Sequence, residues 1–152
     1  KKKDINFHAR HSAKKKIYKY IILNRKTQSP MYDKRVWLVK NKLNVLQMKK
    51  GIKFYLGTHN FTSMRATSCV AKSPIRTITK AQISKKSDKI IITFESKSFL
   101  QKQVRSMVGC LKYVGENKWK PEKIKSVIKQ KKRIFCAPPA PSEGLYLEKV
   151  FY

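Results

Sequence analysis

The segment Ile17–Leu23 reads Ile-Tyr-Lys-Tyr-Ile-Ile-Leu and is closed by Asn24, with Ser29-Pro30 beyond it. Its β-branched and aromatic residues predict a strand followed by a loop. A side-chain period of two puts Ile17, Lys19 and Ile21 on one face and Tyr18, Tyr20 and Ile22 on the other. Both faces carry apolar groups, so the strand is expected to be central. From Asn44 to Leu56, the positions Val45, Met48, Ile52 and Tyr55 recur at helical spacing; Asn44 can cap the start and Gly57 can take a left-handed turn after the end. Gly51 inside this helix costs about 1 kcal/mol relative to Ala.

Farther along, Ile75–Ile83 and Lys89–Glu95 read as two strands joined by the polar stretch Ser84–Asp88, which suits an antiparallel hairpin. Between Phe99 and Val114, the residues Leu100, Val104, Met107, Leu111 and Val114 stand four, three, four and three positions apart, the clearest helix in the chain, ending near Gly115. Pro121 fits a first helical turn. Ile124, Val127 and Ile128 then form a short amphipathic helix that runs into Lys131-Lys132-Arg133, cations favoured at a helix C-terminus. The run Pro138-Pro139-Ala140-Pro141 forbids helix, and Leu145–Tyr152 closes the chain as a strand. The order strand, helix, two strands, helix, helix, strand predicts an α+β fold, an antiparallel sheet with helices on one face.

Charge changes this picture from fold to function. The 152 residues hold 37 Lys+Arg against 8 Asp+Glu, a formal net charge of +29, while 41% are hydrophobic. That is the size of one domain with enough apolar material for a core. The cations are threaded between apolar residues from end to end, as in a folded polyanion binder, and a basic cleft is expected on the sheet face opposite the helices. The three cysteines, Cys69, Cys110 and Cys136, have no CxxC pair and no His at ligand spacing, which argues against zinc and against a disulfide scaffold and suits a reducing cytoplasm. No apolar run approaches the ~18 to 20 residues that span a bilayer. A basic amphipathic helix with a large exposed apolar face, as a membrane-surface protein would need, is not evident either. The chain opens on Lys1 and its first residues offer no obvious domain start, so it reads as a piece of a longer polypeptide. Composition by itself favours a non-catalytic basic RNA-binding module.

Six blocks, taken in order, point further. They are Asn6-Phe7-His8-Ala9-Arg10-His11-Ser12-Ala13, Lys16-Ile17-Tyr18-Lys19-Tyr20, the stretch from Gly57-Thr58-His59-Asn60-Phe61 to Arg65-Ala66, Pro74–Ile78, Phe99-Leu100 with Gln103–Gly109, and Ala140-Pro141 leading to Gly144-Leu145-Tyr146-Leu147. Together they resemble the tRNA pseudouridine synthase A family over nearly the whole chain. Family members also carry an upstream R-T-D-x-G-V-H-A segment whose Asp attacks the target nucleotide, and nothing like it occurs here. Asp4, Asp33 and Asp88 lie in unrelated contexts and read as turn or surface residues.

The resemblance therefore implies the C-terminal portion of such an enzyme, inactive alone. Residues 1–13 would be a linker and RNA-contact segment crossing from the absent half, and 14–152 a ferredoxin-like C-terminal domain. It implies isomerisation of uridine to pseudouridine in the anticodon stem-loop of tRNA, by a homodimer, with no metal or organic cofactor. Among site residues, Tyr18 would stack on the flipped base, Arg105 would pair with the catalytic Asp, and Leu145 would wall the uracil pocket. Phe7, His8, Arg10 and His11 match the family's RNA-contacting segment; alternation along an extended strand would put Phe7, Ala9 and His11 on one side, His8 and Arg10 on the other. Lys26, Arg65, Lys72 and Arg76 are further candidate phosphate contacts.

The residues themselves leave bland readings open. Tyr and Leu in strands are ordinary core, and a guanidinium beside the apolar stripe is ordinary surface in so basic a chain. His8 and His11 could suggest acid/base catalysis, but no second catalytic group stands at a recognisable spacing. Two departures from the family's pattern bear on local hydrogen bonding and on how the RNA is gripped, not on a residue assigned to chemistry: Asn60 replaces an Asp, and Gln101-Lys102-Gln103 replaces aromatic or His residues before the Val-Arg pair.

Overall fold

The computed structural model describes residues 5–152, so Asp4 lies outside the described residues. Strands β1 (Lys15–Asn24), β2 (Trp37–Val39), β3 (Gly57–Asn60), β4 (Ile75–Lys86), β5 (Lys89–Ser96) and β6 (Leu145–Phe151) form one sheet in the order β2-β1-β5-β4-β3, with β6 also paired to β1. Helices α1 (Val45–Ile52), α2 (Gln103–Gly115) and α3 (Lys123–Gln130) complete the α+β fold.

Strand β1 is central as expected. It pairs antiparallel with β5 from Lys16 to Leu23 on one side; on the other it meets β6 antiparallel over Lys15–Tyr20 and β2 parallel over Ile22–Asn24. The β1–β2 pair is the one parallel contact in an otherwise antiparallel sheet among the described residues. Asn24 secures it, its Nδ2 donating to Val39 O at 2.9 Å and its Oδ1 accepting from Leu43 N at 3.0 Å. The hairpin β4–β5 turns tightly at Ser87-Asp88, where Ser87 has φ 52°.

Tyr20, Ile22, Ile90, Ile92 and Phe94 on the sheet and Met48, Ile52, Val104, Met107, Leu111, Ile124 and Val127 on the helices share one buried cluster. Burying a side chain of this size stabilises by about 1.5 to 3 kcal/mol. Asn44 caps α1 through its side chain, which accepts from Gln47 N at 3.1 Å. The predicted helix over Phe99–Val114 starts four residues late. Lys102 takes a left-handed φ of 62°, and the buried Gln103 Oε1 accepts from Leu100 N at 2.8 Å, so Phe99–Lys102 form a loop held by the helix's own first side chain.

Candidate active site

The face of β1 that carries Tyr20 and Ile22 loses its cover toward the strand's start: those two are fully buried, whereas Tyr18 and Lys16 are only partly so. The reason is the late start of α2, which leaves this end of the sheet roofed by loops. A cavity of about 660 Å³ opens there, and Tyr18, Arg105 and Leu145 all line it, together with Arg10, Arg76 and the Cys69–Ala71 loop. The expectation of a cleft opposite the helices is thus corrected. It lies on the helix-bearing face, because Lys16 and Tyr18 share the side of β1 that packs under α2.

Each wall has a local cause. Tyr18 meets Phe99 edge to face, with centroids 5.2 Å apart, which fixes the phenol ring against the 99–102 loop. That loop is tied to its neighbour by Ala66 N donating to Gln101 O at 2.9 Å. Leu145 reaches the cavity from β6, where it pairs with Tyr20 across the strands. The preceding Gly144 lets β6 close on β1: a Cβ there would stand 2.6 Å from Ile21 O and 2.7 Å from the Tyr20 ring.

Arg105 is the most constrained of the three. Its Nε donates to Ala140 O at 2.6 Å, and Ala140 N donates back to Arg105 O at 2.9 Å. One helical turn on, Gly109 makes room for this contact, since a Cβ would overlap the Pro138 carbonyl oxygen. The spacing of four puts both residues on the helix face against which the proline-rich segment lies. With Nε engaged, the two terminal guanidinium nitrogens have no acceptor among the described residues.

The cavity is strongly cationic. Among the described residues, Arg10, Lys16, Arg76, Lys102 and Arg105 line it, no Asp or Glu does, and none of these five forms an ion pair. Arg76 spends Nη1 on Ser73 O and Ile75 O, at 2.8 and 2.6 Å, and its buried Nε has no acceptor. The same setting acts on Cys69. A hydrogen bond from the Ala71 backbone, opposed by partial burial and aided by Gln101, Arg65 and Arg76, holds its thiol below the ordinary value. No three His, Cys, Asp or Glu side chains gather at metal-binding distance among the described residues.

Other candidate residues lie around this centre. The extended alternation expected over Phe7–His11 does not form. His8 O accepts from Ser12 N at 2.7 Å, Ser12 Oγ from His8 N at 3.0 Å, and His8 Nδ1 from Arg10 N at 3.2 Å. Short polar side chains have captured the local backbone in a turn, a competition that alternation alone does not register. Arg10 is delivered to the cavity, while the exposed rings of His8 and His11 meet at a tilt with centroids 4.4 Å apart and Phe7 packs edge-on to Tyr152 at 4.8 Å. Arg65 influences Cys69 without lining the cavity, Lys72 is exposed just past Ala71, and Lys26 follows the far end of β1. Six residues of strand from Tyr18 to Asn24, at roughly 3.3 Å each, make that end about 20 Å away.

Sequence reasoning gave no site role to Lys16, Phe99, Gln101 and Lys102, although all four line the cavity; Phe99 and Lys16 stood within the motif blocks and could have been found there. Of the two departures, that at Asn60 is local, whereas Gln101, Lys102 and Gln103 all line the cavity. Asn60 Oδ1 accepts from Thr62 N at 3.0 Å, which a carboxylate would also do, and Gln103 holds the loop before α2.

Comparison with known proteins fits this geometry. Residues 52–152 match the family model described as tRNA pseudouridine synthase. The chain belongs to that family. It is 57% identical over 152 residues to tRNA pseudouridine synthase A of Pelagibacter ubique (strain HTCC1062), covering 100% of this chain and 62% of that protein. Identity to the protein of the same name from Orientia tsutsugamushi (strain Ikeda) is 43% over 149 residues, or 97% of this chain and 53% of the relative. The Thermoanaerobacter sp. (strain X514) protein is 43% identical over 147 residues, 97% and 60% of the two chains. The chain thus spans a little over half to three-fifths of the length of these relatives. Helices among the described residues are too short or too polar to cross a membrane.

Proposed function

We propose that this chain supplies one side of the active site of a tRNA pseudouridine synthase, which exchanges the N1–C1′ bond of a uridine for a C5–C1′ bond. The atoms balance without a second substrate: N1 leaves the sugar and ends as N–H, and C5 gives up its proton when it takes the sugar. During the detached stage the uracil must be held, turned and kept from solvent. Tyr18 offers a flat ring for stacking, worth about 1 to 3 kcal/mol per base. Leu145 supplies an apolar wall that keeps water from the intermediate.

The observation that carries this reading is the convergence of Tyr18, Leu145 and a tethered Arg105 on one cavity that, among the described residues, is lined by cations and no carboxylate. A guanidinium with free terminal nitrogens can donate to both oxygens of a carboxylate, hold it ionised and orient it. The attacking Asp would be that carboxylate, supplied by a segment outside this chain. Arg10, Arg65, Lys72 and Arg76 would position tRNA phosphates around the cavity mouth, Phe7, His8 and His11 would extend the contact along the 1–13 linker, and Lys26 would lengthen it along β1. The complete enzyme would act on the anticodon stem-loop as a cytoplasmic homodimer, needing neither metal nor organic cofactor. Joining this chain to the upstream half that the family resemblance implies should give pseudouridine in tRNA, read by mass spectrometry of nuclease digests. A folded, tRNA-binding product that forms none would overturn the catalytic reading and leave the RNA-binding module.

A further inference from the structure

We propose that Tyr20 is a positioning residue for Arg105: its buried hydroxyl anchors the 137–141 strap from which the Ala140 carbonyl fixes the guanidinium. The inference rests on the role given to Arg105 above and adds the element that would set its direction. The strap contains Pro138, Pro139 and Pro141, which have no backbone N–H. Only Ala137 and Ala140 can donate, so such a segment has to be held largely through its carbonyls. Two carbonyls in succession are so held, Ala140 O by Arg105 Nε at 2.6 Å and Pro141 O by the Tyr20 hydroxyl at 2.6 Å. The anchor comes from 121 residues away in sequence and stands on the strand that carries Tyr18.

The surroundings make the anchor rigid. Tyr20 is fully buried, its ring stands edge-on to Trp37, and Gly144 lies against it with no room for a Cβ. Burial raises the phenol well above its ordinary value, outweighing the opposing pull of Arg105, so the hydroxyl stays a donor. A long, flexible Arg side chain loses rotamer entropy on being fixed. Moving Ala140 O would release Nε and let the guanidinium turn from the cavity, whereas fixing that oxygen aims both terminal nitrogens inward before any ligand arrives.

The test uses the full-length polypeptide and the conservative change Tyr20→Phe, with Tyr55→Phe as the comparison. Tyr55 is also a fully buried tyrosine, and its hydroxyl donates to the α2 backbone at Met107 O, 3.0 Å away. The readouts are the exchange rate of the Arg105 Nε–H proton by NMR and the division of any activity loss between kcat and KM for tRNA. Tyr20→Phe should speed that exchange at least tenfold and lower kcat about tenfold, with KM within twofold of the parent. Tyr55→Phe should leave the exchange rate unchanged. Equal loosening in both variants, or none in Tyr20→Phe, overturns the proposal. Loosening in Tyr20→Phe together with undiminished turnover in Arg105→Ala would instead remove Arg105 from the reaction, with the anchor left standing.

Discussion

Two side chains with different chemistry face one cavity, and each can be tested by a change that removes a single property. Tyr18→Phe keeps the ring against Phe99 while Tyr18→Ala loses it; if stacking is the main role, the alanine variant of the full-length enzyme should lose roughly 5- to 150-fold more turnover, the equivalent of about 1 to 3 kcal/mol. Equal losses would assign the role to the hydroxyl. Arg105→Ala should cost at least about 10²-fold in kcat, as expected for removing one oriented electrostatic partner, with tRNA affinity nearly unchanged. A parallel collapse of affinity would make Arg105 a phosphate contact. The cysteines offer a readout that needs no activity. Cys69 is held low by the Ala71 backbone and nearby cations, while Cys110 is pushed up by the hydrogen bond with Cys136, 3.4 Å away, and by burial. Thiolate is the form that alkylates, so Cys69 should react with iodoacetamide first, reaching its limiting rate at a lower pH than a free thiol, and Cys110 last. Labelling in the reverse order, followed by peptide mass mapping, would show that the cavity does not stabilise an anion.

The elements that position these residues were legible to different degrees. The long amphipathic stripe of α2 and the two-faced apolar pattern of β1 follow from periodicity, because burial repeats along them. Strands β2 and β3, of three and four residues, did not register: they are too short for a period, and β2 exists through the pairing of Trp37 with Ile22 fifteen positions away. The late start of α2 was hidden because a left-handed lysine at position 102 is a tertiary choice, and that choice opens the cavity. Tyr18 and Arg105 could not be told from core and surface by spacing; the motif blocks singled them out, and their convergence needed the fold. Gly109 joins the two levels, since it lets the strap lie on α2 and hold Arg105. Gly109→Ala should destabilise the protein by about 1 to 3 kcal/mol in urea unfolding, the usual range for overpacking against a rigid neighbour, and should release the Arg105 tether as well. Unchanged stability would mean that the strap moves freely on the helix.

For the whole molecule, a net charge of +29 makes affinity for any nucleic acid easy and uninformative, so the footprint has to be read from salt dependence site by site. Each cation that neutralises a phosphate contributes about 0.7 to 0.9 to the slope of log affinity against log salt, and 6 to 10 such contacts lose roughly 10³ to 10⁵ in affinity between about 50 and 200 mM salt. Arg10, Lys16, Arg76 and Lys102 line the cavity without carboxylate partners among the described residues, so each is available to a phosphate. Alanine at any one of them should lower the tRNA slope by about 0.7 to 0.9 in filter-binding titrations. Arg105→Ala should leave it unchanged, because the partner proposed for it is a carboxylate, which releases no counterion from RNA. Lys26 decides how far the footprint runs. A full decrement there would require tRNA to follow β1 for about 20 Å from Tyr18, and no decrement would confine it to the cavity end. Slopes indifferent to the four cavity cations, with losses spread evenly over surface lysines elsewhere, would separate RNA binding from the cavity and make the charge of the chain a bulk property.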